Sequence, residues 1–157
     1  MDLQASLRAD GVVSDVVAGG SYTFNLWPRE LARYVSPGSW TYSSSQHDVE
    51  LADLGWELAA FVLATVVSVH AGGTATLDAG SKAVSPDKPI PEHFRWSGKI
   101  ISMSEEHTVV EADDLKVGDR VFLMPHHACT TAYLYDSALV KTSAGSWQRR
   151  QQLRSKR

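Results

Sequence analysis

The longest apolar run in the sequence, Leu58–Val69, most constrains the fold, because it ends at the turn signal Ala71-Gly72-Gly73. From about Phe61 onward the run is rich in β-branched residues, and this composition favours a strand over a helix. Thr74–Asp78 follows directly, so the two segments are predicted to pair as a hairpin that bends at the two glycines. With 12 residues the run is too short for a membrane-spanning helix, which needs roughly 18.

Other short segments repeat this pattern of apolar or β-branched residues bounded by turn residues. Helical signals are few: a possible helical turn at 29–34 and a short helical piece within 49–55. About seven strands joined by short turns predict a mainly β fold, either a small β-barrel or a sandwich. Besides the hairpin, the predicted strands are 11–17, 40–42, 99–104, 108–111 and 120–124, and residues 131–140 are further β-prone material.

The length and composition suit a single core, since the chain has 157 residues and 43% of them are apolar. The first residues lack the basic start and apolar core of a signal peptide, so we expect a soluble, cytoplasmic protein. The single cysteine excludes an internal disulfide and would remain available as a thiolate in a reducing compartment.

The net charge of −3 conceals an uneven distribution. From Lys141 onward there are six basic side chains and no acidic one, whereas residues 1–140 carry nine basic and 18 acidic side chains. We predict a disordered basic tail at 141–157, because termini are commonly solvated and the acidic body would repel a polyanion. Neither a nucleic-acid partner nor a membrane partner is therefore expected.

A Gly-Gly-Ser turn follows the first predicted strand. In the segment Ala18-Gly19-Gly20-Ser21, glycines allow backbone N–H groups to approach an anion closely, as in phosphate-binding turns. The alternative is an ordinary turn without a ligand, and the local sequence does not distinguish the two.

The other candidate site follows the strand predicted at 120–124, which a Gly-Asp turn precedes. Pro125 ends that strand just before two histidines and the only cysteine, His126, His127 and Cys129. In an extended segment, residues two apart point to the same face, so His127 and Cys129 are predicted to bind one ion together. Imidazole nitrogen and thiolate sulfur suit zinc. The alternative is a surface histidine beside a small buried thiol.

Several further residues have both a functional and a structural interpretation. Glu106 and His107 are candidates for orienting a metal ligand, or for a solvated hairpin turn. Asp78 and Lys82 are predicted to form an ion pair at the end of a strand. Tyr42 is predicted either to face a cofactor or to pack in the core.

Five landmarks occur in an order that resembles one known family. These landmarks are Ala18-Gly19-Gly20-Ser21, Pro37-Gly38-Ser39-Trp40-Thr41-Tyr42, Leu77-Asp78-Ala79-Gly80-Ser81-Lys82-Ala83, Ser104-Glu105-Glu106-His107, and Val117-Gly118-Asp119-Arg120-Val121 leading to Pro125-His126-His127-Ala128-Cys129. Their order resembles the C-terminal part of the D-threonine aldolase and D-serine dehydratase family, whose members are pyridoxal-phosphate enzymes related in fold to alanine racemase. The resemblance covers roughly residues 12–140.

The resemblance implies an organisation and a set of site residues. Residues 1–35 would be a remnant of the end of a (β/α) barrel, and 36–140 a β domain like the C-terminal domain of alanine racemase. Gly19, Gly20 and Ser21 would hold the cofactor phosphate, while His127 and Cys129 would bind zinc beside the cofactor. A cysteine as second ligand resembles the D-serine dehydratase side of the family, where the aldolase side tends to carry aspartate. His126 stands where the family often has asparagine, so its role stays open.

One expected residue is absent. The family's Schiff-base lysine belongs near the start of the barrel, and this chain has no lysine before Lys82, which lies in a motif of the β domain. We therefore expect the chain to be inactive alone. Either it is a fragment, or a separate polypeptide supplies the rest, or it has lost catalysis. A complete enzyme would act on a D-amino acid, and the expected assembly is a homodimer or a complex with a barrel-bearing partner chain. A β domain without its barrel should also expose an apolar face. The alternatives are a D-threonine aldolase-like lyase and a non-catalytic β-barrel module that binds a metal or a protein partner.

Overall fold

The computed structural model describes residues 3–12, 15–30, 32–85 and 99–152. The described residues form three separate sheets: a parallel pair, a central antiparallel sheet of five strands, and a final antiparallel hairpin. Every helix among them is too short or too polar to be a candidate for spanning a bilayer.

The elements follow one another along the chain with short connections. Before the central sheet come α1 (Leu3–Ala9), β1 (Val17–Gly19), β2 (Tyr34–Ser36) and α2 (Ser45–Glu50), with short 3-10 helices at Ser39–Thr41 and Ala52–Leu54. The sheet itself contains β3 (Val62–His70), β4 (Thr74–Leu77), β5 (Ile100–Met103), β6 (Thr108–Glu111) and β7 (Arg120–Leu123). After it come α3 (Ala128–Tyr133), β8 (Ser137–Lys141) and β9 (Trp147–Gln151).

The central sheet has the strand order β5-β6-β4-β3-β7, and every neighbouring pair is antiparallel. The predicted hairpin of β3 and β4 is confirmed, with His70 opposite Thr74 across the two-glycine turn. Alternate residues of β3 point into the core, where Val62, Ala64 and Val66 are buried. The core around them is lined by apolar residues of all five strands and the loop after β4, among them Ala75, Leu77, Ala79, Val84, Ile100, Val110, Val121 and Leu123.

The opposite face of the central sheet carries apolar side chains that face solvent. Leu63, Val67 and Val69 of β3 and Ile101 of β5 are all more than two-fifths exposed. This is an apolar surface of the kind expected for a β domain separated from a neighbouring domain.

The pair β1 and β2 is parallel, in contrast to every other strand pair of the described residues. Val17 lies opposite Tyr34, and Gly19 lies opposite Ser36. Both strands therefore end at the same edge, and the segments that follow them, 20–21 and 37–39, are brought together there. Parallel pairing is also the arrangement of barrel strands, although the assignment of 1–35 to a barrel remnant stays a prediction.

The mainly β class is confirmed, but the sheets formed by the described residues do not close into a barrel. The first strand is shorter than the predicted 11–17 and begins later in the sequence, since β1 covers only Val17–Gly19. Residues 13 and 14 lie outside the described residues. The strand predicted at 40–42 is wrong, because Ser39–Thr41 form a 3-10 helix. There the Thr41 hydroxyl donates to the Gly38 carbonyl at 3.1 Å, a local bond that an extended chain does not make.

Two predictions near the end of the chain also need correction. Residues 131–133 belong to α3 rather than to a strand, because the Thr130 and Thr131 hydroxyls both donate to the His127 carbonyl and close the first turn of a helix. Within the predicted tail, residues 147–151 form β9 and pair with β8 around a turn at Gly145, which has φ +80°. Residues 153–157 lie outside the described residues.

The loop after β4 packs tightly against the turn between β5 and β6. The Ser81 N–H donates to the Ser104 carbonyl at 2.8 Å, and the Lys82 N–H donates to the Glu105 carbonyl at 3.0 Å. The buried Thr108 hydroxyl donates to the Ala79 carbonyl at 2.6 Å. These bonds leave room only for a hydrogen atom at Gly80, so the glycine is required by close approach of two backbones.

We expect Gly80→Ala to lower the free energy of unfolding by about 2 kcal/mol, the typical cost of overpacking a rigid contact. An added Cβ would meet the Ser104 carbonyl oxygen and would lie 2.6 Å from the His107 nitrogen and 2.7 Å from the Glu105 carbonyl carbon. Urea denaturation measures the change. Gly38→Ala is the matched control, since a Cβ there meets nothing within 4 Å. Equal stability of the two variants would contradict the packing described here.

Candidate functional site

Two serines meet just beyond the ends of the parallel strands. Ser21 follows β1 by two residues and Ser39 follows β2 by three, and their Oγ atoms are 2.9 Å apart. Ser21 is only 4% exposed. Ligands of parallel sheets bind at the carboxyl ends of the strands, so the two hydroxyls lie where such a site is expected.

The turn between β1 and Ser21 depends on glycine. Gly20 has φ +91°, which disfavours any residue with a Cβ. The Thr23 hydroxyl donates to the Gly19 carbonyl at 2.8 Å, and the Thr23 and Phe24 N–H groups donate to the Gly20 carbonyl. These bonds fix the shape of the turn, while phosphate binding by Gly19, Gly20 and Ser21 stays a prediction.

His47, a residue that the sequence did not single out, lies at the centre of the site. It is 3% exposed, and its ring is 5.7 Å from that of Tyr22 and 5.6 Å from that of Trp56, centroid to centroid. Its Nε2 lies 3.2 Å from Ser39 Oγ, and its Nδ1 accepts the Ser44 backbone N–H at 3.3 Å. The only sequence signal was the spacing Ser44-x-x-His47, which matches the spacing of a capping box at the start of a helix.

The environment of His47 favours its neutral form. Burial is the main cause that lowers the pKa of His47 below its ordinary value; the Glu50 carboxylate opposes this, and the charge of His127 adds to it. The pKa of Tyr22 is raised, first by burial and then by a hydrogen bond and the negative charge of Glu50. At neutral pH the interior of the site is therefore held by neutral hydrogen-bonding groups.

The start of α2 is bonded to the loop that contains the predicted metal ligands. The Ser45 N–H donates to the Pro125 carbonyl at 3.2 Å, and the Gln46 N–H donates to the His126 carbonyl at 3.3 Å. Ser45 Oγ also lies 3.3 Å from His126 Nδ1. A helix leaves its first N–H groups without intrahelical partners, and here the loop supplies the acceptors. The helix therefore joins the Gly-Gly-Ser turn to the loop at 125–127.

The predicted metal pair has a different local geometry from the one expected. His127 precedes α3 as its N-cap residue and is half-buried, whereas Cys129 is exposed on the first turn of the helix. The argument from an extended segment is therefore wrong, because side chains two apart on a helix do not share a face. No group of three or more His, Cys, Asp or Glu side chains within the described residues is arranged to hold a metal ion. Binding of a metal by these two residues stays a prediction.

The remaining candidates have structural partners. Lys82 Nζ lies 2.8 Å from Glu106 Oε1 and 2.9 Å from Glu105 Oε2, and the hydrogen bond with Glu106 is the main cause that raises the pKa of Lys82. Asp78 accepts the Thr65 N–H at 2.6 Å, so it engages the backbone of β3, while Lys82 is paired with the two glutamates. Glu106 thus binds a lysine on the surface, which favours the interpretation as a solvated turn.

Ser43, immediately before the helix cap, has a strained backbone. Its φ is +39°, a region that side-chain-bearing residues rarely adopt, and it is almost fully buried. Its hydroxyl is the one buried side-chain polar atom without a hydrogen-bond partner among the described residues. Such strain is typical of sites that the surrounding structure holds in one arrangement.

The chain is similar to several known proteins. Residues 59–141, which are 83 of the 157 residues, match the family model described as "Putative serine dehydratase domain". The 3-hydroxy-D-aspartate aldolase of Paracoccus denitrificans (strain Pd 1222) is 35% identical over 144 residues, which cover 83% of this chain and 37% of that protein. The chain thus spans well under half the length of this curated relative.

Solved structures share the fold. The D-threonine aldolase from Filomicrobium marinum superposes with a TM-score of 0.76 at 26% identity, over 92% of this chain and 42% of that one. The D-threo-3-hydroxyaspartate dehydratase from Delftia sp. HT23 superposes with a TM-score of 0.75 at 22% identity, over 96% and 47%. Other structures of D-threo-3-hydroxyaspartate dehydratase have alanine in place of a histidine or, in the metal-free form, in place of a cysteine two positions further along.

We expect the stability of the wild type to fall more steeply than that of His47→Gln between pH 7.5 and pH 5.5. Because the pKa of His47 is lowered on folding, its contribution is complete above the unfolded value, about 6.5, and is lost as the pH falls toward the folded value. Glutamine keeps the helix start and does not titrate. Urea denaturation at both pH values gives the change in the free energy of unfolding for each protein. His70→Gln, at the exposed end of β3, is the control. Parallel losses in wild type and His47→Gln would contradict the buried, neutral His47.

Proposed function

The chain belongs to the serine dehydratase domain family, as its ordered motifs predict, and we propose that it forms the phosphate-binding and metal-binding part of a pyridoxal-phosphate-dependent lyase. The proposed substrates of the complete enzyme are D-β-hydroxy amino acids, the class named in its relatives. The observation that carries the proposal is the pair of hydroxyls, Ser21 and Ser39, at the carboxyl ends of two parallel strands.

The cofactor phosphate would be held by Gly19, Gly20 and Ser21. The absence of a Cβ at Gly20, which has positive φ, would let the backbone approach an anion closely, and Ser21 adds a hydroxyl hydrogen-bonded to Ser39. Donors of this kind bind phosphate without a positively charged side chain. When bound, pyridoxal phosphate supplies an electron sink for bond cleavage at an amino acid. The role proposed for this part of the chain is to fix the cofactor by its phosphate end.

His127 and Cys129 are proposed as zinc ligands beside that cofactor. The donor set is one imidazole nitrogen and one thiolate sulfur, which suits zinc and leaves positions open for a substrate hydroxyl and water. The spacing equals that of the histidine and cysteine replaced in the dehydratase structures, one of which is metal-free. His126 is engaged with Ser45 of α2 through its Nδ1, so we assign it a structural contact.

The Schiff-base lysine is proposed to come from elsewhere. The first lysine of this chain is Lys82, and the hydrogen bonds that it donates to Glu106 and Glu105 raise its pKa. A protonated amine is a poor nucleophile, so Lys82 is unsuited to Schiff-base formation. We therefore propose that a barrel-bearing partner chain completes the enzyme and covers the apolar face that carries Leu63 and Val67. A homodimer of this chain would cover that face without supplying the lysine. This chain alone is then inactive.

Two reactions remain candidates, and their products differ. Cys129 as the second ligand favours a D-serine dehydratase-like elimination, which releases ammonia. The 35% identical relative is named an aldolase and favours retro-aldol cleavage, which releases glycine and an aldehyde. Assay of ammonia and glycine from the same reaction of the completed enzyme distinguishes them.

We expect the full chain to bind pyridoxal 5′-phosphate more tightly than pyridoxal, because the phosphate would provide most of its contacts with this domain. Ser21→Ala should weaken binding of the phosphate form by roughly tenfold, the effect of losing one charge-assisted hydrogen bond, and leave pyridoxal unchanged. Isothermal titration calorimetry measures both affinities. Ser143→Ala in the exposed β8–β9 turn is the control. Equal affinities for the two compounds in the wild type would refute the proposed function.

A further inference from the structure

A chain of hydrogen bonds connects the helix start to the Gly-Gly-Ser turn. The Ser44 N–H contacts His47 Nδ1 at 3.3 Å, His47 Nε2 contacts Ser39 Oγ at 3.2 Å, and Ser39 Oγ contacts Ser21 Oγ at 2.9 Å. The imidazole and both hydroxyls can act as donor or acceptor. The direction in which this series of hydrogen bonds runs is therefore set by the group that can only donate or only accept.

That member is the backbone N–H of Ser44. A peptide N–H can only donate, and it points at Nδ1, so Nδ1 must be the unprotonated nitrogen of the ring. A hydrogen on Nδ1 would face the Ser44 N–H hydrogen directly and break that bond, and the Ser44 hydroxyl oxygen, another neighbour of Nδ1, lies further away at 3.5 Å. The neutral ring that the burial of His47 favours then carries its hydrogen on Nε2.

The tautomer of His47 determines which of the two serines donates to the other. Nε2–H donates to Ser39 Oγ, so the Ser39 hydrogen is available to donate to Ser21 Oγ. Ser21 then accepts from Ser39, and its own hydrogen has no acceptor among the described residues. A buried hydroxyl hydrogen without an acceptor is costly, so this arrangement suits a ligand that supplies a negatively charged oxygen.

The opposite direction would favour a different ligand. If Nδ1 carried the hydrogen, Ser39 would donate to Nε2 and Ser21 would donate to Ser39. Ser21 would then direct only lone pairs toward the turn at Gly20, which would repel an anion. The tautomer of one histidine thus decides whether the same heavy atoms attract or repel a phosphate.

We infer that His47 is a positioning residue: as the Nε2–H tautomer held by the Ser44 N–H, it directs the Ser21 hydroxyl hydrogen toward an anionic oxygen at the Gly-Gly-Ser turn. The inference rests on the proposed function, because it concerns the residues that would hold the cofactor phosphate. His47 acts through Ser39 and Ser21 and does not contact the ligand.

The tautomer is tested on the full chain without ligand. Nitrogen-15 NMR of histidine-labelled protein, with the His47 signals assigned from the His47→Gln spectrum, reports which ring nitrogen carries the hydrogen. We expect a protonated Nε2 and an unprotonated Nδ1. A hydrogen on Nδ1 would overturn the inference whether or not the protein binds a cofactor.

The effect on the anion is tested with inorganic phosphate as probe. Glutamine and glutamate are both accepted at the third position of a capping box, so His47→Gln and His47→Glu both keep the helix start. Glutamine can still donate to Ser39, whereas glutamate can only accept. We expect His47→Gln to bind phosphate within about threefold of wild type and His47→Glu to bind at least about tenfold more weakly.

Ser39→Ala separates the direction of the bonds from the added charge of glutamate. Ser39→Ala removes the hydroxyl that links His47 to Ser21 and changes no charge. We expect about a threefold to tenfold loss of phosphate affinity. Wild-type affinity in Ser39→Ala, or a loss in His47→Gln as large as that in His47→Glu, would overturn the inference. If the wild type binds neither phosphate nor pyridoxal phosphate, the proposed function fails and Ser21 serves no anion, while NMR still decides the direction of the bonds.

Discussion

The candidate site depends on how the first N–H groups of α2 are satisfied. Ser45 and Gln46 donate to the carbonyls of Pro125 and His126, which are 80 residues further along the chain in each case. These helix donors and loop carbonyls would otherwise be left partly buried without partners, so the docking is favourable on both sides. It fixes the helix against the loop of the predicted metal ligands and leaves His47 pointing at the serines beyond β1 and β2.

The central sheet makes this docking precise. Val62 of β3 lies opposite Leu123 of β7, so the start of one strand and the end of the other are fixed at the same edge. The segment before β3 returns to the helix region, where the Ala59 and Ala60 N–H groups donate to the Tyr42 carbonyl at 3.0 Å and 2.9 Å. A rigid antiparallel sheet thereby positions both the approach to α2 and the loop at 125–127, while the parallel pair positions Ser21 and Ser39.

Local sequence patterns predicted the parts of the molecule whose structure is decided locally. The β3–β4 hairpin follows from β-branched residues and two glycines, and the shape of the turn at Gly20 follows from glycine itself. Segment 131–133 was predicted to be a strand from its β-prone residues, but β propensity depends strongly on context. Here the Thr130 and Thr131 hydroxyls donate to the His127 carbonyl in the first turn of α3. The same helix overturned the geometry predicted for the metal pair. The role of His47 was missed because it depends on partners that become neighbours only when β1, β2 and α2 assemble.

If α2 couples the Gly-Gly-Ser turn to the loop at 125–127, hydrogen–deuterium exchange of Ser44→Ala should detect that coupling. Loss of the Ser44 side chain weakens the helix cap, by about 1 kcal/mol for such a change. The coupling predicts faster exchange in peptides covering 19–26 and 124–131 together, with β3 and β4 unchanged. Faster exchange confined to residues 44–51 would contradict the account.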